Sequence, residues 1–164
     1  MVRYFIFIAF LSLSFIACNQ VAHEGTSMGP IFVEEPSVAS QKAELLEKGF
    51  EIFDYVEEVS GDTIIMQKYF IAFLKKGPNR DQPKAEADSL QALHMQHLGK
   101  MYELGYADIS GPFDDDSDIS GITIYNVPTL KMADSLANAD PMVAAGRLVI
   151  EVHPWWAAKG FPLR

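Results

Sequence analysis

The chain holds one cysteine, Cys18, so no disulfide can close within it. It is also short of positive charge: 13 Lys and Arg stand against 22 Asp and Glu, a formal net charge of −9. Nucleic-acid binding needs clustered Lys and Arg to neutralise phosphates, and this balance excludes it. It equally excludes electrostatic attachment to anionic lipid. No internal repeat is present. The apolar run Tyr4–Ile16 is too short to cross a bilayer comfortably. What remains is ample for a core, because 49% of the 164 residues are apolar, enough for one packed domain.

The early apolar run reads as a targeting segment. Arg3 gives it a basic start, and it closes on Phe15-Ile16-Ala17-Cys18, a small residue directly before cysteine. This is similar to a lipobox, although Phe15 stands where leucine is commoner. Residues 1–17 are therefore expected to be a lipoprotein signal peptide, with Cys18 acylated and holding the chain on the cell envelope, periplasmic or outer-surface. An ordinary secretory signal with an incidental cysteine stays open. Each buried acyl methylene contributes about 0.8 kcal/mol. Loss of Arg3 with that segment would take the charge to −10. Residues 18–40, rich in turn formers and carrying His23 and Pro36, read as a flexible tether.

From Gln41 the pattern becomes regular. Gln41–Lys48 suits a short helix stopped by Gly49. The segments on either side of Ser60-Gly61-Asp62 suit two strands and a tight turn, so residues 41–66 form a helix and hairpin that extend a sheet edge. Tyr69–Leu74 is apolar at both alternations, so both faces of that strand need cover. Leu90, Leu93, His97, Leu98, Met101 and Leu104 recur at helical spacing over residues 84–104. Two strands follow, Tyr106–Ser110 and Ile119–Val127, then a helix from Pro128-Thr129 that Asp140-Pro141 breaks. The last strand is Arg147–His153, ended by Pro154-Trp155-Trp156. The order β-α-β-β-α-β predicts an α+β, ferredoxin-like domain with an antiparallel four-stranded sheet and an N-terminal hairpin extension. A second copy stacked sheet to sheet would cover the open face, and a hairpin folded over it is the alternative. Trp155 and Trp156 are expected to seal the core or that interface.

Several short motifs carry a family resemblance together. They are Tyr69–Leu74, Lys76-Gly77-Pro78, His94-Met-Gln-His97-Leu98, Gly105, Ser110-Gly111-Pro112-Phe113, Asp114–Asp118, Gly121, Ala139-Asp140-Pro141, Ala145-Gly146-Arg147 and Val152-His153-Pro154-Trp155-Trp156. Over residues 67–156 the chain resembles the YCII-related family, leaving 157–164 as a C-terminal tail. The resemblance implies a dimeric α/β-barrel, related to muconolactone isomerase-like proteins, with a cleft holding a His–Asp pair proposed as catalytic. A few members are associated with dehydrochlorination or with aromatic degradation products. Carried over, the histidine falls on His94 and the acid within Asp114–Asp116, with Asp116 preferred and Asp140 a second candidate.

A histidine beside a carboxylate suits general base chemistry: proton abstraction next to a carbonyl, isomerisation or elimination. Without a nucleophilic Ser or Cys it does not suit acyl transfer. His94, Asp116 and Asp140 are thus candidate catalytic residues of a small-molecule lyase or isomerase. His97, Arg147, Glu151 and His153 are candidate ligand contacts, and Arg80 could neutralise an acidic ligand. Glu151 and His153 alternate with Ile150 and Val152 and so point away from that apolar face. No cofactor or metal is called for. His94 and His97 are three apart rather than four, and Asp114–Asp118 lacks the glycine and distal glutamate of a calcium loop. A non-catalytic ligand- or partner-binding module on the envelope is the other reading of the same cleft.

Overall fold

The computed structural model describes residues 36–163. The expected signal peptide, Cys18 and His23 lie outside the described residues. Among the described residues no helix is long and apolar enough to cross a membrane.

Helix α1 (Val38–Glu47) starts three residues before the expected Gln41, because Ser37 caps it by accepting the Ser40 N–H at 3.2 Å. Then come β1 (Ile52–Val56), β2 (Thr63–Lys76), α2 (Lys84–Glu103), β3 (Ala107–Pro112), β4 (Ile119–Tyr125), α3 (Leu130–Asn138), the single turn α4 (Pro141–Ala144), and β5 (Leu148–Ala158). All pairings are antiparallel, and β2 is the hub. It pairs with β5 over Met66–Lys76 on one side and with β4 over Phe70–Lys75 on the other, and β3 lies beyond β4. The fold is α+β and ferredoxin-like, with an open sheet.

β1 does not extend the outer edge of the sheet. β2 runs for 14 residues, and β4 pairs only with its C-terminal half. β1 fills the vacant stretch on that same side, with Ile52 opposite Gln67 and Val56 opposite Thr63. An unpaired strand edge leaves N–H and C=O groups bare, and β1 removes that exposure.

The core lies on one face. Phe70, Ala72 and Leu74 of β2, Tyr125 of β4 and Leu148 of β5 meet Met101 of α2 and Ala133 and Ala137 of α3. Burial of each large apolar side chain contributes about 1.5–3 kcal/mol. α2 turns inward only part of the stripe that its apolar spacing suggests. Leu93 and Leu104 are exposed, while His94 and Met101 are buried with Leu90 packed beside them. The inward positions 90, 94 and 101 keep helical spacing, but a histidine takes a place expected of leucine.

The opposite sheet face carries Ile71 and Phe73 of β2, paired with Ile124 and Ile122 of β4. β5 continues beyond Pro154 to Ala158 instead of ending there. Trp155 and Trp156 therefore stand on a strand and stay partly exposed, so neither seals the core. Trp156 meets the Phe53 ring edge-on at 5.0 Å, and Lys68 lies over it.

Candidate functional site

The site is built where α2 passes over α4 and β3. α4 starts sharply because Asp140 is its N-cap and Pro141 its first residue. The Asp140 Oδ1 atom accepts the Met142 N–H at 2.8 Å, which leaves Oδ2 free. That oxygen meets His94 Nδ1 at 2.5 Å, across 46 residues of sequence. Both side chains are buried, at 11% and 3% exposure for His94 and Asp140.

Burial alone would push the Asp140 carboxyl up. The hydrogen bond from His94, the Met142 N–H and the nearby His94 and His97 rings outweigh it and hold the carboxyl below its ordinary value. Asp140 is therefore an ionised acceptor, so the shared proton sits on His94 Nδ1. In the neutral ring Nε2 then carries the lone pair. The carboxylate fixes both the tautomer and the orientation of the ring.

His94 forms part of the wall of a cleft of about 400 Å³. Gln91, Met95 and Leu98 of α2 form the same side, and Ser110–Pro112 of β3 with Ser120–Ile122 of β4 form the other. Arg80, Met142, Arg147 and Leu148 complete it. Arg147 is half-buried and donates from Nη1 to Gln82 Oε1 at 2.5 Å. The Arg147 carbonyl accepts from Arg80 Nη1 at 3.1 Å and from the Gly77 N–H at 2.8 Å.

Of the candidate residues, His94, Asp140 and Arg147 come together. Asp116 does not meet His94: it lies in the exposed loop after β3, where its backbone carbonyl accepts from Lys76 Nζ at 3.4 Å. His97 stands behind the pair, near enough to Asp140 to act on its charge, with Nε2 buried and unpartnered. Glu151 and His153 form a separate cluster on the open sheet face. His153 Nε2 is 2.7 Å from Glu151 Oε1, Lys75 Nζ is 2.9 Å from Glu151 Oε2, and the Phe73 ring meets His153 edge-on. Hydrogen bonds from Lys75 and His153 hold the Glu151 carboxyl below its ordinary value. Gln82, which orients Arg147, was not among the candidates, and no local motif marks it.

Among the described residues no three His, Cys, Asp or Glu side chains converge in a way that could hold a metal ion. No curated protein matches the chain. Among solved structures, the 5-chloro-2-hydroxyhydroquinone dehydrochlorinase of Burkholderia phenoliruptrix AC1100, in complex with 2,5-dihydroxybenzoquinone, is similar at 21% identity and a TM-score of 0.40. The match covers 53% of this chain and 92% of that one. Residues 69–156, which run from within β2 to within β5, match the YCII-related domain over more than half the chain, and the protein belongs to that family.

Proposed function

We propose that the cleft performs proton transfer on a small molecule, as a lyase or isomerase, with His94 as general base and Asp140 as the residue that orients it. The observation that carries this is the 2.5 Å His94–Asp140 contact at the wall of a cleft of about 400 Å³. An imidazole held by Nδ1 offers Nε2 to a substrate C–H, and the buried carboxylate stabilises the imidazolium that forms. Leu74, Leu98 and Met142 give the cleft an apolar side against which the body of a small molecule can pack.

The test is solvent deuterium incorporation into small carbonyl and quinol compounds that first show binding by ligand-observed NMR. His94→Ala is expected to retain binding and to lose incorporation by about 10²–10⁴-fold. Undiminished incorporation by His94→Ala sinks the reading. Binding without incorporation by either form identifies the cleft as a receptor site.

The protein is further proposed to work as a two-fold dimer, with Ile71, Phe73, Ile122 and Ile124 of each sheet facing a second copy. It is also proposed to be lipid-anchored to the envelope through Cys18. Labelled fatty acid is expected to be incorporated by the wild type and not by Cys18→Ser, and equal labelling of the two would exclude that anchor.

A further inference from the structure

We infer that the substrate of this cleft is a small organic anion, received by Arg147 and Arg80. The inference rests on the proposal that the His94 cleft is the reaction site, and it adds the chemical class of what enters.

Three observations converge on it. The first is distribution: Arg80 and Arg147 are the only arginines among residues 36–163, and both border the one cleft that contains His94. In a chain with a net charge of −9, chance placement would surround them with carboxylates. Yet no Asp or Glu belongs to the cleft wall, and neither arginine forms a salt bridge among the described residues.

The second is unsatisfied charge. Arg147 is half-buried, its Nε is buried with no acceptor, and its one side-chain partner is the neutral Gln82. A guanidinium withdrawn from water without a counter-ion is costly, and an anion bound beside it in the cleft lowers that cost through its charge. The planar fork also matches a carboxylate or phenolate edge in a way an ammonium does not.

The third is preorganisation. Gln82 fixes the Arg147 guanidinium, and the Arg147 carbonyl in turn fixes that of Arg80. The remaining wall is largely apolar, so the fitting molecule is an amphipathic anion with an apolar body. The arginines that hold the anion would also stabilise the negative charge that develops on the substrate as His94 takes its proton.

Benzoate and benzamide, equal in shape and different in charge, are the probes. Their affinities for the full chain are measured by NMR titration at low salt, for wild type and for Arg147→Met, Arg147→Lys, Arg80→Met and His94→Ala. Wild type is expected to prefer benzoate by about tenfold or more. Arg147→Met is expected to remove most of that preference while benzamide affinity stays within about twofold, and Arg147→Lys to keep part of it. Should Arg147→Met fail to fold, the exposed Arg80→Met carries the comparison, with a partial loss expected. Equal affinities, a preference for benzamide, no binding of benzoate, or a preference unchanged in both arginine variants overturns the proposal. His94→Ala is expected to keep the preference, which separates the two claims. A lost preference with His94-dependent deuterium incorporation intact defeats the anion proposal alone. An intact preference with incorporation indifferent to His94 defeats the reaction alone.

Discussion

Asp140 serves two elements with one side chain: Oδ1 caps α4 and Oδ2 holds His94. Asp140→Asn separates these duties. Asparagine is as good an N-cap as aspartate, so α4 is retained. Its amide nitrogen would face His94 Nδ1, favouring the tautomer with the proton on Nε2 and removing the base. Deuterium incorporation is expected to fall by about 10²–10⁴-fold with the fold intact by circular dichroism, and a variant as active as wild type would refute the orienting role. The pH dependence follows from the depressed Asp140 carboxyl. Because the folded value lies below the unfolded one, its stabilisation is complete above about pH 4 and is lost as pH falls through the folded value. Urea melts from pH 6 down to pH 2 are expected to show a steeper acid loss in wild type than in Asp140→Asn. The sequence marks Asp140-Pro141 as the break after α3, because that signal is local, and not as the start of α4. It could not choose between Asp140 and Asp116, since the choice depends on α2 crossing α4, 46 residues from His94 along the chain.

At the scale of elements, the two arginines are placed by two turns pressed together. The turn after β2 meets the turn after α4: the Gly77 N–H donates to the Arg147 carbonyl, and the Asn79 N–H to the Gly146 carbonyl at 3.0 Å. Gly146 ends α4 with φ of +72°, a conformation that glycine adopts at no steric penalty. Gly77 is required for a different reason, since a Cβ there would lie 2.2 Å from the Gly146 carbonyl oxygen, a backbone atom that cannot swing away. Gly77→Ala is expected to destabilise the domain by about 1–3 kcal/mol in urea unfolding and to weaken benzoate binding as the turns separate. A variant with the wild-type midpoint would show that the turns yield freely. Both glycines are visible in the sequence as turn residues, but their approach to each other is not, since turn chemistry is local and the contact is tertiary. The inward stripe of α2 was obscured in a related way. Apolar periodicity nominated Leu90, Leu93, Met101 and Leu104 together; Leu90 and Met101 do pack inward, but Leu93 and Leu104 are exposed and His94, bonded to Asp140, is buried instead.

At the scale of the whole molecule, the two sheet faces are finished differently. Helices cover Phe70, Ala72 and Leu74, while Ile71 and Phe73 on the same strand remain half-exposed beside Ile122 and Ile124. The double-sided apolar pattern of Tyr69–Leu74 announces this demand for cover in the sequence, because a strand's period of two assigns each residue to a face. It does not name the occupant, and β1, which lies in the plane of the sheet beside β2, does not cover the face. A second copy is the proposed cover, and Phe73→Asp tests it where the monomer is least dependent on the side chain. Phe73 contributes little to the helix-side core, so each subunit should fold as before. In a two-fold interface the change places two unpaired carboxylates in an apolar layer, near Glu151 and Lys75 of each chain. The dimer dissociation constant is expected to rise on the order of 10³-fold, read by sedimentation equilibrium, with a wild-type circular dichroism spectrum. A wild-type chain that sediments as a monomer, or a Phe73→Asp chain that stays dimeric, would rule out this face as the interface. Deuterium incorporation by the monomeric variant then decides whether the His94 cleft, which lies on the helix side of the sheet, works without a partner. His94, Asp140 and Arg147 all come from one chain, so its activity is expected to persist.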